Sequence, residues 1–107
     1  MQNQSLRTSF QRLSKESTSI VDFLRMNEVE LNNAHRHSYH NRKEIEQSFL
    51  CGCFSCNRTF PSSEVEDYID EGETTLCPYC GVDTVIGEAS GIQLSKEFLH
   101  NMHERWI

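Results

Sequence analysis

Two segments decide the fold of this chain: Cys53-Phe54-Ser55-Cys56-Asn57-Arg58-Thr59-Phe60 and Leu76-Cys77-Pro78-Tyr79-Cys80-Gly81. Each contains a C-x2-C pair, and 20 residues lie between the two pairs. Two thiolates from one tight turn can bind the same ion, and two such turns supply four sulfur ligands in a tetrahedron. The spacing therefore predicts one structural Zn²⁺ bound by Cys53, Cys56, Cys77 and Cys80.

The residues that flank both pairs are typical of zinc knuckles, the tight turns that carry paired cysteine ligands. Phe60 follows the first pair at a distance that lets an aromatic ring pack over the site. Pro78 restricts the second turn, and Gly81 can adopt the positive φ expected just after a ligand. Because a four-thiolate site has no open coordination position, it stabilises a fold and performs no chemistry.

Disulfides and a redox-active C-x2-C site are the competing interpretations of the cysteine pairs. The chain opens with Met1-Gln2-Asn3-Gln4 and shows no apolar signal segment, from which we expect a cytoplasmic, reducing environment where disulfides are rare. Neither pair lies in the strand-then-helix unit of a thioredoxin site. A fifth cysteine, Cys51, is an alternative ligand, but the shorter turn favours Cys53 and leaves Cys51 as a buried apolar residue.

Length and charge limit the remaining functions. The 107 residues, 36% of them apolar, predict one domain with a modest core that needs the metal for stability. Residues 1–50 carry seven Lys/Arg and six Asp/Glu, whereas residues 51–107 carry three and ten. Phosphate binding requires concentrated Lys and Arg, so the acidic half disfavours nucleic acid. No run of 18 apolar residues occurs, and no membrane-spanning segment is expected.

Capping signals and apolar periodicity predict the helices. The first two are expected over residues 4–14 and from Ser19 to about Asn32, and a third over residues 42–49, begun by Asn41 with Glu44. Between the knuckles, Ser63 with Glu66 forms a capping box and Gly72 marks an end, which predicts a helix over residues 64–71.

The end of the chain predicts a strand and a closing helix. Thr84-Val85-Ile86 is the strand candidate. Ser95 caps a helix over residues 95–106, whose apolar face must pack on the ribbon or on a second copy of the chain; its members are Phe98, Leu99, Met102 and Trp106. We therefore expect an α+β fold: a small zinc-ribbon-like domain over 41–107, with two knuckles, short hairpins and packed helices, preceded by a helical segment over 1–40.

Residues 48–107 resemble a group of small bacterial cytoplasmic proteins of unassigned function. The resemblance is carried by Leu50-Cys51-Gly52-Cys53-Phe54-Ser55-Cys56, by Leu76-Cys77-Pro78-Tyr79-Cys80-Gly81, by Val85-Ile86-Gly87-Glu88-Ala89-Ser90-Gly91, and by Phe98-Leu99-His100-Asn101-Met102-His103-Glu104-Arg105-Trp106. It implies a zinc-ribbon-like domain of bacterial or phage origin and supplies no activity. In this chain Ile107 stands where the group leads us to expect an aromatic residue.

The histidines are the remaining candidates for a second metal site. They form one cluster before the third helix and one pair on the last helix, which Glu104 could join; the residues are His35, His37, His40, His100 and His103. A solvated polar stretch is the simpler interpretation of each cluster. No catalytic Ser/His/Asp order and no phosphate-binding glycine loop is present, so we expect no enzymatic activity.

Two function classes are consistent with these patterns. The first is a protein-binding module, a bacterial or phage regulator, inhibitor or immunity-type protein whose acidic surface meets a basic partner; a homodimer is a further option. The second is a nucleic-acid-binding regulator that uses cations of the first half, namely Arg7, Arg12, Lys15, Arg36, Arg42 and Lys43. Ordinary surface charge is the simpler explanation of these six, because acids are interspersed among them.

Overall fold

A computed structural model describes residues 20–107, and residues 31–107 form one compact unit. The α-helices are α1 (Ile20–His35), α2 (Arg42–Glu46) and α3 (Lys96–Trp106). The strands are β1 (Leu50–Cys53), β2 (Thr59–Pro61), β3 (Tyr68–Ile69), β4 (Thr74–Thr75) and β5 (Val85–Gly87). The expected α+β class is therefore confirmed, and the predicted helix over 4–14 lies outside the described residues.

The central sheet is antiparallel and has the strand order β2-β1-β5. Cys51 lies opposite Phe60 on one side and Gly87 on the other, and Cys53 lies opposite Val85. The first cysteine pair therefore occupies the turn between β1 and β2. Strand β5 begins next to Cys53 and brings the chain back from the second pair.

The predicted helix over 64–71 is wrong. Residues Ser62–Glu64 form a single 3-10 turn, and the chain then continues into the β3–β4 hairpin, where Tyr68 lies opposite Thr75. A helix of eight residues has little stability of its own. The β-branched pair Thr74–Thr75 is fully buried in extended conformation, so pairing of the strands prevails over the capping signal.

The turn of this hairpin uses residues that the sequence suggested as a helix end. Asp70, Glu71 and Gly72 have φ values of 55°, 59° and 88°. The Asp70 carboxylate accepts a 2.8 Å hydrogen bond from the Thr74 hydroxyl, which stabilises the turn from within. Gly72 thus marks a left-handed turn residue between strands.

The other predicted elements occur with shifted boundaries. Helix α1 extends to His35, beyond the expected end near Asn32, whereas α2 stops at Glu46 and falls short of the predicted 42–49. Strand β5 begins one residue later than predicted. The closing helix is confirmed: the Ser95 hydroxyl caps α3 by accepting a 3.0 Å hydrogen bond from the Phe98 backbone N–H.

The central sheet is buried on both faces because different apolar clusters cover them. Side chains alternate along a strand, so Val85 and Ile86 enter different clusters. On one face, Ile45 of α2 packs with residues of the cysteine site. On the other face, Leu99 and Met102 of α3 pack with Ile86. This second contact confirms that the closing helix packs on the sheet through Leu99 and Met102, whereas Trp106 of the predicted face is 39% exposed.

Glycine allows α3 to lie close to β1. A Cβ atom at Gly52 would be 3.1 Å from Leu99 Cδ2, closer than ordinary van der Waals contact.

Between residues 20 and 107, no helix combines the length and apolar character needed to cross a bilayer.

Asn41 connects three parts of this unit through its buried side chain. Its amide Nδ2 donates to the backbone oxygens of His37 (2.8 Å) and Val85 (2.7 Å), and its Oδ1 accepts from the Thr75 backbone N–H at 3.1 Å. The side chain makes no capping hydrogen bond to α2, although the sequence predicted that role. Asn41 instead joins β4 to β5.

Asn41→Ala should destabilise the metal-loaded protein by about 2–3 kcal/mol, because it leaves the Thr75 N–H and the Val85 carbonyl buried without partners. Urea denaturation measures the change. Asn32→Ala, which removes an exposed amide that accepts from Arg105 Nε, is the control and should cost less than about 0.5 kcal/mol. Equal costs for both substitutions would contradict the role assigned to Asn41.

Candidate metal centre

The two cysteine pairs meet in space. The four sulfur atoms of Cys53, Cys56, Cys77 and Cys80 all lie within 4.8 Å of one another. The Cys53–Cys80 and Cys56–Cys77 sulfur pairs are 3.6 and 3.8 Å apart. Ligands about 2.3 Å from a tetrahedral ion are separated by about 3.8 Å, whereas a disulfide would be about 2.05 Å. The sulfurs are close enough to bind one metal ion, and they form no disulfide.

The first knuckle is built by three backbone contacts around Cys53. The N–H of Ser55 points at the Cys53 sulfur at 3.3 Å, and the N–H of Asn57 donates to the Cys53 carbonyl at 2.8 Å. The Cys53 N–H in turn donates to the Arg58 carbonyl at 2.9 Å. Asn57 has a φ of 64°, a conformation that asparagine tolerates better than most residues.

The second knuckle repeats these contacts at the same offsets from Cys77. The N–H of Tyr79 points at the Cys77 sulfur at 3.3 Å, and the N–H of Gly81 donates to the Cys77 carbonyl at 2.9 Å. The Cys77 N–H donates to the Val82 carbonyl at 3.0 Å. Gly81 has a φ of 77°, which matches the sequence expectation for this position. The two turns are thus equivalent local structures that face one another.

Burial and hydrogen bonding act differently on the thiols. Burial raises the pKa of Cys53 to about 12, against the lowering effect of the Thr84 hydroxyl 3.1 Å from its sulfur. Burial also raises the pKa of Cys77. For exposed Cys80, burial has a raising effect, but hydrogen bonds from the Val82 backbone and neighbouring thiols outweigh it, so its pKa is lowered.

Metal binding should release protons, because the raised pKa values keep the Cys53 and Cys77 thiols protonated at neutral pH until an ion binds. The apparent affinity for Zn²⁺ should therefore fall as pH falls, by roughly one power of ten per pH unit for each proton released. Competition with a chromophoric chelator between pH 6 and about 8 measures this slope. A pH-independent affinity would contradict thiolate ligation.

Cys51 lies in β1 outside the sulfur group. It is fully buried between Phe60 and Gly87 on the neighbouring strands, and burial raises its pKa to about 11. The position in the strand explains why Cys53 and not Cys51 joins the site: Cys53 is the last residue of β1, where the first knuckle begins, whereas Cys51 lies within the strand. The interpretation of Cys51 as a buried apolar residue matches this position.

The histidines do not assemble into a second group of ligands within residues 20–107, where the four cysteines are the only group of three or more potential metal ligands. His37 Nδ1 lies 2.8 Å from a Glu44 carboxylate oxygen. The His35 ring packs against Trp106, with centroids 4.0 Å apart and ring planes tilted by 34°. His103 Nδ1 lies 3.0 Å from the Phe54 carbonyl. His103 therefore connects α3 to the first knuckle.

Aromatic and charged side chains border the site on the side of the second knuckle. Tyr79 packs on Phe60 with ring centroids 5.8 Å apart, its hydroxyl donates to Glu64, and the Arg58 guanidinium lies 4.8 Å from its ring centroid. The expected packing of Phe60 at the site is confirmed, since it shares a cluster with Cys53 and Cys77.

Comparison with family models, curated proteins and solved structures gave no match.

Two contributors to the site have no signal in the sequence. Thr84, whose hydroxyl contacts the Cys53 sulfur, appeared only as part of a strand candidate. His103 appeared as a potential ligand, whereas it contacts a knuckle carbonyl. Both contacts depend on the pairing of β5 with β1 and on the packing of α3. Neither of these is local in sequence.

Proposed function

We propose that the four cysteines bind a single structural Zn²⁺. Four thiolates in a tetrahedral arrangement are the ligand set of structural zinc, and they leave no coordination position for a substrate. The observation that carries the proposal is the approach of the four sulfurs from two equivalent knuckles. Zinc would supply stability to the sheet and no reaction step. We accordingly propose a protein without enzymatic activity.

We further propose that the zinc-stabilised unit is a protein-binding module for a basic partner in the cytoplasm. Residues 31–107 carry six Lys/Arg against twelve Asp/Glu, and four thiolates with one Zn²⁺ would add two negative charges. Such a surface attracts cationic partners at long range and repels phosphate backbones. The resemblance of residues 48–107 implies a bacterial or phage origin and supplies no activity. An acidic binding module of that origin would suit a regulator, an inhibitor or an immunity-type protein.

Among the candidate cations for nucleic-acid binding that the structure describes, Arg36 and Lys43 are exposed, whereas Arg42 is engaged within the protein. Arg42 is engaged by the Glu46 carboxylate at 3.1 Å, by the Gly72 carbonyl at 3.1 Å and by the Tyr68 ring, whose centroid is 4.2 Å from its guanidinium carbon. Arg7, Arg12 and Lys15 lie outside the described residues. No single observation favours this second function.

Elemental analysis followed by peptide selection tests the proposal. We expect one zinc per chain, and basic sequences among peptides selected from a random display library by the metal-loaded protein. A folded acidic protein of equal net charge is the control for non-specific attraction. Metal-free but ordered protein would contradict the zinc site. Selection of no more peptides than the control, or salt-sensitive retention on DNA, would contradict the binding module.

A further inference from the structure

A groove of about 300 Å³ opens beside the metal centre, and Val82, Asp83 and Thr84, which follow the second knuckle, are among its lining residues. Phe54, which is 1% exposed, contributes the buried part of its lining. Tyr39 and Trp106, 61% and 39% exposed, contribute the accessible aromatic part. The volume lies at the lower end of the range for ligand sites, which suits one side chain better than a helix.

The aromatic rings of the groove are held in place by stacking. His40 covers one face of Tyr39, with centroids 4.0 Å apart and planes 12° apart. His35 packs against Trp106 at 4.0 Å and lies 6.1 Å from Phe54. Within the described part of the chain, no other aromatic ring or guanidinium packs on Tyr39, and the residue is 61% exposed, so ring surface remains accessible to a ligand.

The charge of the lining selects a cation. Asp83 is exposed, and its carboxylate makes no hydrogen bond or ion pair with other described residues. No Lys or Arg lines the groove. Arg105 lies next to Trp106 without lining the groove: its guanidinium is 5.4 Å from the Trp106 centroid, and its Nε donates to Asn32. A phosphate would be repelled here.

An arginine side chain matches this set of groups better than a lysine. A guanidinium is planar, stacks on aromatic faces and pairs with a carboxylate through two parallel N–H donors, whereas an ammonium is a compact, strongly hydrated charge. Thr84 belongs to the same lining, although it is buried and its hydroxyl contacts the Cys53 sulfur. We infer that this groove, lined by Tyr39, Trp106, Phe54 and Asp83, binds a single arginine side chain of the partner. The inference rests on the proposed basic-partner function.

The test titrates full-length, metal-loaded protein with acetyl-Gly-Arg-Gly-amide and follows backbone and indole N–H signals by NMR. Trp106 is the one tryptophan of the chain, so its indole signal reports on the groove without ambiguity. We expect saturable shifts of Trp106, Asp83 and Thr84, with a Kd in roughly the millimolar range. The same peptide with citrulline in place of arginine keeps the shape of the side chain but lacks its charge, and it should produce no saturable shift.

Two substitutions should each weaken binding of the arginine peptide by about fivefold or more: Asp83→Asn and Tyr39→Ala. Asp67→Asn, a change to an exposed acid outside the groove, is the matched control and should leave the Kd unchanged. Retention of the wild-type spectrum elsewhere shows that each variant is folded. If the same peptide with lysine in place of arginine bound as tightly, the inference that the groove prefers a guanidinium would be overturned.

The groove and the broader function fail in different ways. Shifts spread over the acidic surface, and unchanged in Asp83→Asn, would overturn the arginine groove while the selected basic peptides still supported a basic partner. Conversely, arginine-dependent shifts confined to the groove, with no basic sequence in the peptide selection, would support the groove and overturn the basic partner.

Discussion

Cys53→Ala should abolish stoichiometric zinc binding and unfold residues 31–107. The substitution removes one of four ligands at the junction of β1 and the first knuckle. Structural zinc contributes on the order of 10–16 kcal/mol of apparent binding free energy at neutral pH, more than the total stability of most domains of this size. Elemental analysis and far-UV circular dichroism, before and after chelation of the wild type, measure the two effects.

Cys51→Ala is the matched control, because it removes a buried thiol from the same strand that is not part of the sulfur group. It should retain one zinc per chain and cost about 1 kcal/mol or less, as a small change of volume in the core. If Cys51→Ala lost the metal and Cys53→Ala kept it, the assignment of ligands would be reversed.

Phe54→Ala should destabilise the metal-loaded protein by about 3–5 kcal/mol, the range for large aromatic truncations in a core. Phe54 lies between the first two ligands, and its side chain is 1% exposed in the cluster that also contains Leu99 and Met102. The cavity would separate the first knuckle from α3. Weaker zinc binding should accompany the loss of stability, since the turn that presents Cys53 and Cys56 packs through this side chain.

Phe49→Ala provides the comparison for the same chemical change at an exposed position. Phe49 is 86% exposed, and truncation should alter stability by no more than about 0.5 kcal/mol. Chemical denaturation of both variants in the presence of saturating Zn²⁺ separates the two cases. Similar costs at both positions would show that Phe54 does not connect the knuckle to α3.

The metal centre could be predicted because the residues that form each cysteine turn are adjacent in the sequence. Each C-x2-C turn carries its own hydrogen bonds, and Gly81 takes the backbone conformation expected from its residue type. Helix α3 was predictable for a similar reason, since Ser95 caps it from an adjacent position. These predictions are confirmed because they depend on capping and turn residues that lie next to the elements they define.

The segment between the knuckles was not predictable, because long-range contacts decide it. Ser63 and Glu66 form a valid capping pattern. However, the backbone N–H of Thr75 donates a buried hydrogen bond to the side chain of Asn41, which is far away in the sequence. That contact requires extended backbone at β4. The local signal for a helix over 64–71 is outweighed by tertiary pairing of the strands.

The unequal exposure of the four sulfur atoms would set the route by which a bound metal ion is exchanged. Cys53 and Cys77 are buried and Cys56 is half-buried, whereas Cys80 is exposed at the rim of the second knuckle. A chelator or a metal-donor protein would therefore approach from the Cys80 side and replace that ligand first. Competition for zinc in the cell would then depend on how freely Cys80 is reached, and a partner bound over this rim would slow the loss of the ion.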